Sequence, residues 1–159
     1  MESQPRVAEQ IMTMLQSLSN ITDGFSVDQL AHSLQTATRA ERDGATEEIV
    51  LASLCHDIGK VISVLNHPRI ASEILRPYVS DDIRAMIEAH QDFQGRHYYG
   101  HLGMNPDARD QYRDCSWYAI AEQFADEWDQ LSFDPDYPTE TLDHFQPLVS
   151  DFFTTPRSL

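Results

Sequence analysis

The chain has 159 residues, enough for a single domain with one core. Its formal net charge of −15, from 26 Asp and Glu against 11 Lys and Arg, repels nucleic-acid phosphates and anionic membrane surfaces, and no basic stripe offsets it. No apolar run is long enough to span a bilayer, and the opening Met1–Arg6 lacks the basic-then-apolar layout of a signal peptide, so the expectation is a cytoplasmic small-molecule enzyme without nucleic-acid or membrane partners.

Helical periodicity runs through almost the whole chain and predicts an all-α fold. Val7 to Leu18 places Val7, Ile11, Met14, Leu15 and Leu18 on one stripe. After the polar break Asn20–Gly24, Ser26 is placed to cap a second helix, whose Leu30, Leu34 and Ala37 share a face and which ends near Gly44. Thr46-Glu47-Glu48 opens a third, strongly apolar helix that runs into Cys55-His56-Asp57, and Gly59 ends or bends it. A fourth helix spans His67 to Leu75, stopped before Pro77. Ser80 caps a fifth, with Ile83, Met86, Ile87 and, at its end, His90 at inward spacing. The polar and aromatic stretch Gln91–Asp110 is long for a loop, and such loops are often functional. A sixth helix covers about Ser116 to Gln130. Pro135 and Pro138 mark another loop, and a packing helix from about Glu140 to Phe153 closes the domain, which is read as 1–159 with a metal-binding core at about 29–130. The two cysteines, Cys55 and Cys115, have neither zinc nor redox spacing, and Cys55 lies in an apolar run that suits a buried thiol.

The chemistry gathers around His56-Asp57. Ionisable groups seldom end a buried apolar helix unpartnered, and a metal ion offsets a buried carboxylate while holding an imidazole neutral. His32 on the second helix, His67 opening the fourth, His90 on the fifth and Asp129 on the sixth lie at positions facing the same interior. Four imidazoles and two carboxylates on separate helices of a bundle make a dimetal set, and nitrogen and oxygen donors without thiolate suit iron, manganese or zinc. Asp126 competes with Asp129 for the last ligand; the aromatic context of Trp128-Asp129 favours Asp129. Lys60 and His97 are the candidate catalytic groups, and Arg96 and His101 belong to the same histidine-rich loop.

The order His32, His56-Asp57, Asp129 resembles the H…HD…D signature of the HD-domain superfamily, over about Gln29 to Phe153. That superfamily contains phosphohydrolases and a smaller branch of diiron oxygenases. His67 and His90 match the two added ligands of its dinuclear members. Gln29-Leu30-Ala31-His32-Ser33-Leu34-Gln35 resembles the first-ligand helix of the organophosphonate-oxidising enzymes, and His56-Asp57-Ile58-Gly59-Lys60 resembles the HDLGK stretch of myo-inositol oxygenase. The resemblance implies a helical bundle with a dinuclear site in its core and a mixed-valent Fe(II)/Fe(III) pair. It implies that Asp57 bridges the irons, that His32, His56 and Asp129 complete one, and that His67 and His90 bind the other. The implied reaction is oxidation by O2 of a small hydroxylated or phosphonate-like substrate. The alternative is a phosphohydrolase using manganese or zinc on a phosphate ester or nucleotide, and a third reading is a metal-stabilised interaction module. The chain departs from the pattern where Thr22-Asp23-Gly24-Phe25 replaces the Tyr and Glu of the phosphonate enzymes. It departs again where Asp126 and Gln94 replace an Arg and a Lys of those enzymes, and where Phe133 replaces a Lys of inositol oxygenase.

Overall fold

Helices make up all the regular structure among residues 4–157, the part of the chain described by this computed structural model. Met1–Ser3, part of the stretch read for a signal peptide, and the last two residues of the expected 1–159 domain lie outside the described residues. The α-helices run α1 Gln4–Ser17, α2 Gln29–Arg42, α3 Glu47–Cys55, α4 His67–Leu75, α5 Asp81–Gln94, α6 Tyr118–Gln123 and α7 Leu142–Thr154. Short 3₁₀ turns lie in several of the connections, and α6 continues into a π-helical turn, Phe124–Asp129. No helix among the described residues is long and apolar enough to cross a membrane.

The apolar helix α3 lies at the centre, with Val50 to Cys55 all buried. It packs on α2, which is itself buried on most of its circumference, and on α5. The pairs α4–α5 and α1–α7 flank this centre, and α6 lies against α5. Ile11, Leu15 and Leu18 of the first stripe are buried, as are Phe145, Val149 and Phe153 of the last helix. Phe124 and Trp128 join the same core, while Trp117 packs partly buried against it.

Helix boundaries follow from capping. Thr46, Ser80 and Thr141 each accept a hydrogen bond from the backbone N–H three residues on. Ser26 does not cap α2. Asp28 does so, accepting from the Ala31 N–H at 2.8 Å, and the Ser26 hydroxyl donates instead to the Phe133 carbonyl. At the other end of α2, Gly44 adopts φ +79° and Ala45 N–H returns to the Ala40 carbonyl, a Schellman-type stop. His90 is not the end of α5, which runs on to Gln94, and the expected long loop is instead three consecutive 3₁₀ turns, Gly95–His97, Tyr99–Leu102 and Ala108–Tyr112. The sixth helix starts later than expected, at Tyr118, and loses α geometry at Phe124. Both cysteines are free, and burial pushes the Cys55 thiol up to about 12, so it stays protonated.

Gly59 sits in the 3₁₀ turn Ile58–Val61 immediately after His56-Asp57, where the start of α4 crosses over it. A Cβ at this position would lie 2.9 Å from the His67 Cα and 2.9 Å from the Ile70 Cβ. Gly59→Ala is therefore expected to destabilise the fold by about 1–3 kcal/mol, the usual range for overpacking a filled interior, and to displace His67. Urea unfolding measures the first effect; an unchanged midpoint would show that α4 does not rest on the glycine.

Candidate metal centre

Six ionisable side chains meet in the middle of this bundle. His32 comes from the first turn of α2, His56 and Asp57 from the end of α3, His67 from the first residue of α4, His90 from α5 and Asp129 from the π turn. None is more than 6% exposed, so bulk water does not solvate their charges.

Each imidazole is held by a backbone carbonyl. His56 Nδ1 donates to the Ser53 carbonyl at 2.7 Å, His67 Nδ1 to Val64 at 2.7 Å and His90 Nδ1 to Ile87 at 2.6 Å, three bonds to the residue three positions earlier. His32 Nδ1 reaches across the fold to the Ser132 carbonyl at 2.9 Å, tying α2 to the turn that follows the π segment. A carbonyl only accepts, so Nδ1 carries the hydrogen in all four rings and, when the rings are neutral, Nε2 is a bare lone pair.

Those four nitrogens point at one another and at the two carboxylates. His32 Nε2 lies 3.1 Å from His56 Nε2 and 3.0 Å from Asp129 Oδ1, and His67 Nε2 lies 3.3 Å from His90 Nε2. Asp57 stands between the two pairs. Its Oδ2 is 3.3 Å from His32 Nε2 and 3.1 Å from His56 Nε2, while its Oδ1 is 3.1 Å from His67 Nε2 and 3.3 Å from His90 Nε2. Acceptor facing acceptor at these distances is repulsive unless positive charge sits between them.

The ionisation preferences express the same demand. Burial lowers the His56 pKa, but the charges of Asp57 and Asp129 overturn it and push the group up to about 10; His32 is raised in the same way, chiefly through its hydrogen bonds to Asp129 and Asp57. Against burial, the His56 charge holds both Asp57 and Asp129 below the ordinary carboxylate range, with Lys60 adding to the effect at Asp57 and the His32 hydrogen bond at Asp129. His90 is lowered, because burial there outweighs its single carboxylate partner. Metal ions supply the missing charge without protons, and the donor set fits them. Two triads, His32–His56–Asp129 and His56–Asp57–His90, have ligand atoms close enough to share an ion. His56 belongs to both triads, but its Nε2 faces the Oδ2 side of Asp57. The division by carboxylate oxygen therefore groups it with His32 and Asp129, opposite His67 and His90.

The π turn separates Asp126 from Asp129. Positions three apart share one face of an α-helix, and the wider turn, marked by Gln130 N–H bonding five residues back to Ala125, rotates them apart. Asp129 points inward. Asp126 points outward and accepts from the Arg109 guanidinium at 3.0 and 2.9 Å and from His97 Nε2 at 2.8 Å.

A cavity of about 360 Å³ opens over the cluster, within the size range of small-molecule sites. His32, Asp57, His67, His90 and Asp129 form its floor; Lys60, His97, Tyr98, Gln91, Gln94, Gln130, Phe25 and Phe133 form its walls. Lys60 Nζ lies 3.5 Å from Asp57 Oδ2 and donates to Gln29 Oε1 at 3.1 Å. Burial, then the charges of Asp129 and Asp57, push the Tyr98 phenol up to about 12, which keeps it a hydrogen-bond donor. Phe133 stacks on the His32 ring at 4.1 Å and on Phe25 at 4.4 Å, capping the His32 side. His101 and His144 stand apart from the cavity: His101 is exposed, and His144 pairs with Glu41 at 2.8 Å. Arg96 turns to Asp110 and Asp107.

Sequence reasoning missed Phe25 and the amide pair Gln94–Gln130 as cavity walls, and it missed Arg109 altogether. Phe25, Arg109 and Gln130 lie outside the α-helices, and Gln94 is the last residue of α5. The one readable hint was the replacement of charged residues by Gln94 and Phe133 at positions counted from His90 and Asp129.

A family model described as "HD domain" matches residues 30–134, more than half of the chain and a span that contains all six clustered residues. No curated protein matches the chain.

If the two oxygens of Asp57 serve two ions, Asp57→Ala should abolish binding of both metals, whereas His90→Ala should chiefly weaken one. Metal-to-protein ratios measured by elemental analysis on the purified variants decide this, and equal losses in the two variants would contradict a bridging role.

Proposed function

This chain belongs to the HD-domain family of metal-dependent hydrolases and oxygenases, and from that premise we propose that it is a diiron oxygenase oxidising a small hydroxylated compound with O2. Bound iron would supply redox chemistry toward O2 and Lewis acidity toward a substrate hydroxyl. His32, His56 and Asp129 would hold one ion with Asp57 Oδ2, and His67 and His90 the other with Asp57 Oδ1. Three protein donors on the second side leave room for exogenous ligands.

The observation that carries this reading is the composition of the cavity wall. Its one lysine, Lys60, is already engaged by Asp57 and Gln29, and no arginine lines the cavity. The remaining polar groups are three glutamines, Tyr98 and His97, which hydrogen-bond hydroxyls readily and compensate phosphate charge poorly. Phe25 and Phe133 add an apolar face that excludes water from the His32 side. The net charge of −15 adds a further penalty for polyanionic ligands.

Lys60 supports the competing phosphohydrolase reading, since an ammonium beside a metal-ligating carboxylate can also orient a phosphate oxygen. The two readings part on products. Iron-loaded protein, partially reduced and mixed with a panel of small hydroxylated compounds, is expected to consume O2, to show a mixed-valent signal in electron paramagnetic resonance, and to release little or no phosphate from nucleotides. Catalytic phosphate release without a mixed-valent signal would replace the oxygenase with the phosphohydrolase.

A further inference from the structure

Arg109 occupies an unusual position. It belongs to the 3₁₀ turn Ala108–Tyr112 near the outside of the fold, yet it is only 1% exposed. Its guanidinium donates to both oxygens of Asp126 and to the Phe93 carbonyl, while its Nε has no partner. A guanidinium buried with an unsatisfied donor is unfavourable in itself, and its main polar consequence is to clamp one carboxylate. That carboxylate accepts in turn from His97 Nε2, and His97 lines the cavity over the metal cluster. Asp126 is held below the ordinary carboxylate range first by its hydrogen bond to Arg109, and so it stays ionised.

We propose that His97 is the proton acceptor for a substrate hydroxyl, with Asp126 and Arg109 as its positioning residues. With Nε2–H committed to Asp126, the neutral ring presents Nδ1 as its free lone pair, the role a carboxylate plays for histidine in hydrolytic triads. In the transfer, the substrate O–H bond breaks, the proton goes to His97 Nδ1 and the electron pair stays on the substrate oxygen. The imidazolium formed is stabilised by Asp126, which remains an anion throughout. Glu122 lies 3.7 Å from Arg109 Nη1, the nitrogen that also donates to Asp126, and adds a second negative charge beside the clamp. The inference rests on the hydroxylated substrate proposed above, but the state of the ring can be read without turnover.

The experiment is ¹⁵N-resolved NMR of the histidine rings in the full-length, zinc-loaded protein, which is diamagnetic. In its neutral form the His97 ring is expected as a single tautomer with Nε2 protonated and Nδ1 bare. Asp126→Ala should let the ring populate both tautomers with zinc content unchanged, and Asp126→Glu should restore the single form. Glycerol, used as the hydroxyl probe, should shift the Nδ1 resonance of His97 more than those of His101 and His144. A wild-type ring with Nδ1 protonated, a tautomer unaffected by Asp126→Ala, loss of zinc in that variant, or no selective response to glycerol would overturn the proposal. Failure here would leave the oxygen-uptake result untouched, and failure of oxygen uptake would leave this one untouched.

Discussion

Four imidazoles that give their Nδ1 hydrogens to backbone carbonyls have only bare Nε2 atoms to present to the interior, and this constraint organises the rest of the molecule. The four lone pairs and two carboxylates face one another across about 3 Å at the nearly buried floor of the cavity. Pairwise hydrogen bonding cannot resolve such a set, since the neutral rings present no inward donor and ionised carboxylates only accept. The groups respond by drawing protons where the carboxylates are densest, at His32 and His56, and that is where a cation is most strongly favoured. The surrounding fold serves this arrangement. Gly59 lets α4 start against the end of α3, so that His67 reaches the Oδ1 side of Asp57. The π turn brings Asp129 in and turns Asp126 out. The Ser132 carbonyl, beyond that turn, fixes His32.

How far the arrangement can be read from the amino-acid sequence depends on how local the cause is. His56, His67 and His90 are anchored by carbonyls three residues earlier, and His56 and His90 sit on helices whose caps are plain in the chain, so their inward placement was legible. The end of α4 was read from Pro77. Asp129 was harder, because Asp126 lies three positions away and only the local change of helical pitch separates them. The Ser26 cap was misread for a related reason. Ser26 and Asp28 are both good capping residues, and the choice fell to Asp28 because Phe133, more than a hundred positions away, engages the serine hydroxyl. Arg109 left no local trace, since its partners, Phe93 and Asp126, belong to other elements.

The cavity over the cluster is assembled from several elements of the fold. The floor is made of His32, Asp57, His67, His90 and Asp129, and the walls come from turns and helix ends: the segment before α2, the last turn of α5 with the turns that follow it, and the residues after Asp129. Here they place amides and aromatic rings around the metal-facing floor, with a single lysine already in contact with Asp57. Asp126 points away from this cavity, and by accepting from His97 and from Arg109 it ties one wall residue to the π turn.

The central claim is that the six buried side chains form two adjoining cation sites divided by the two oxygens of Asp57. It is tested most directly by anomalous diffraction at the iron absorption edge from crystals of the iron-loaded protein. The account predicts two anomalous peaks, one among His32, His56, Asp129 and Asp57 Oδ2, the other among His67, His90 and Asp57 Oδ1. A single peak, or two that do not share Asp57, would contradict it.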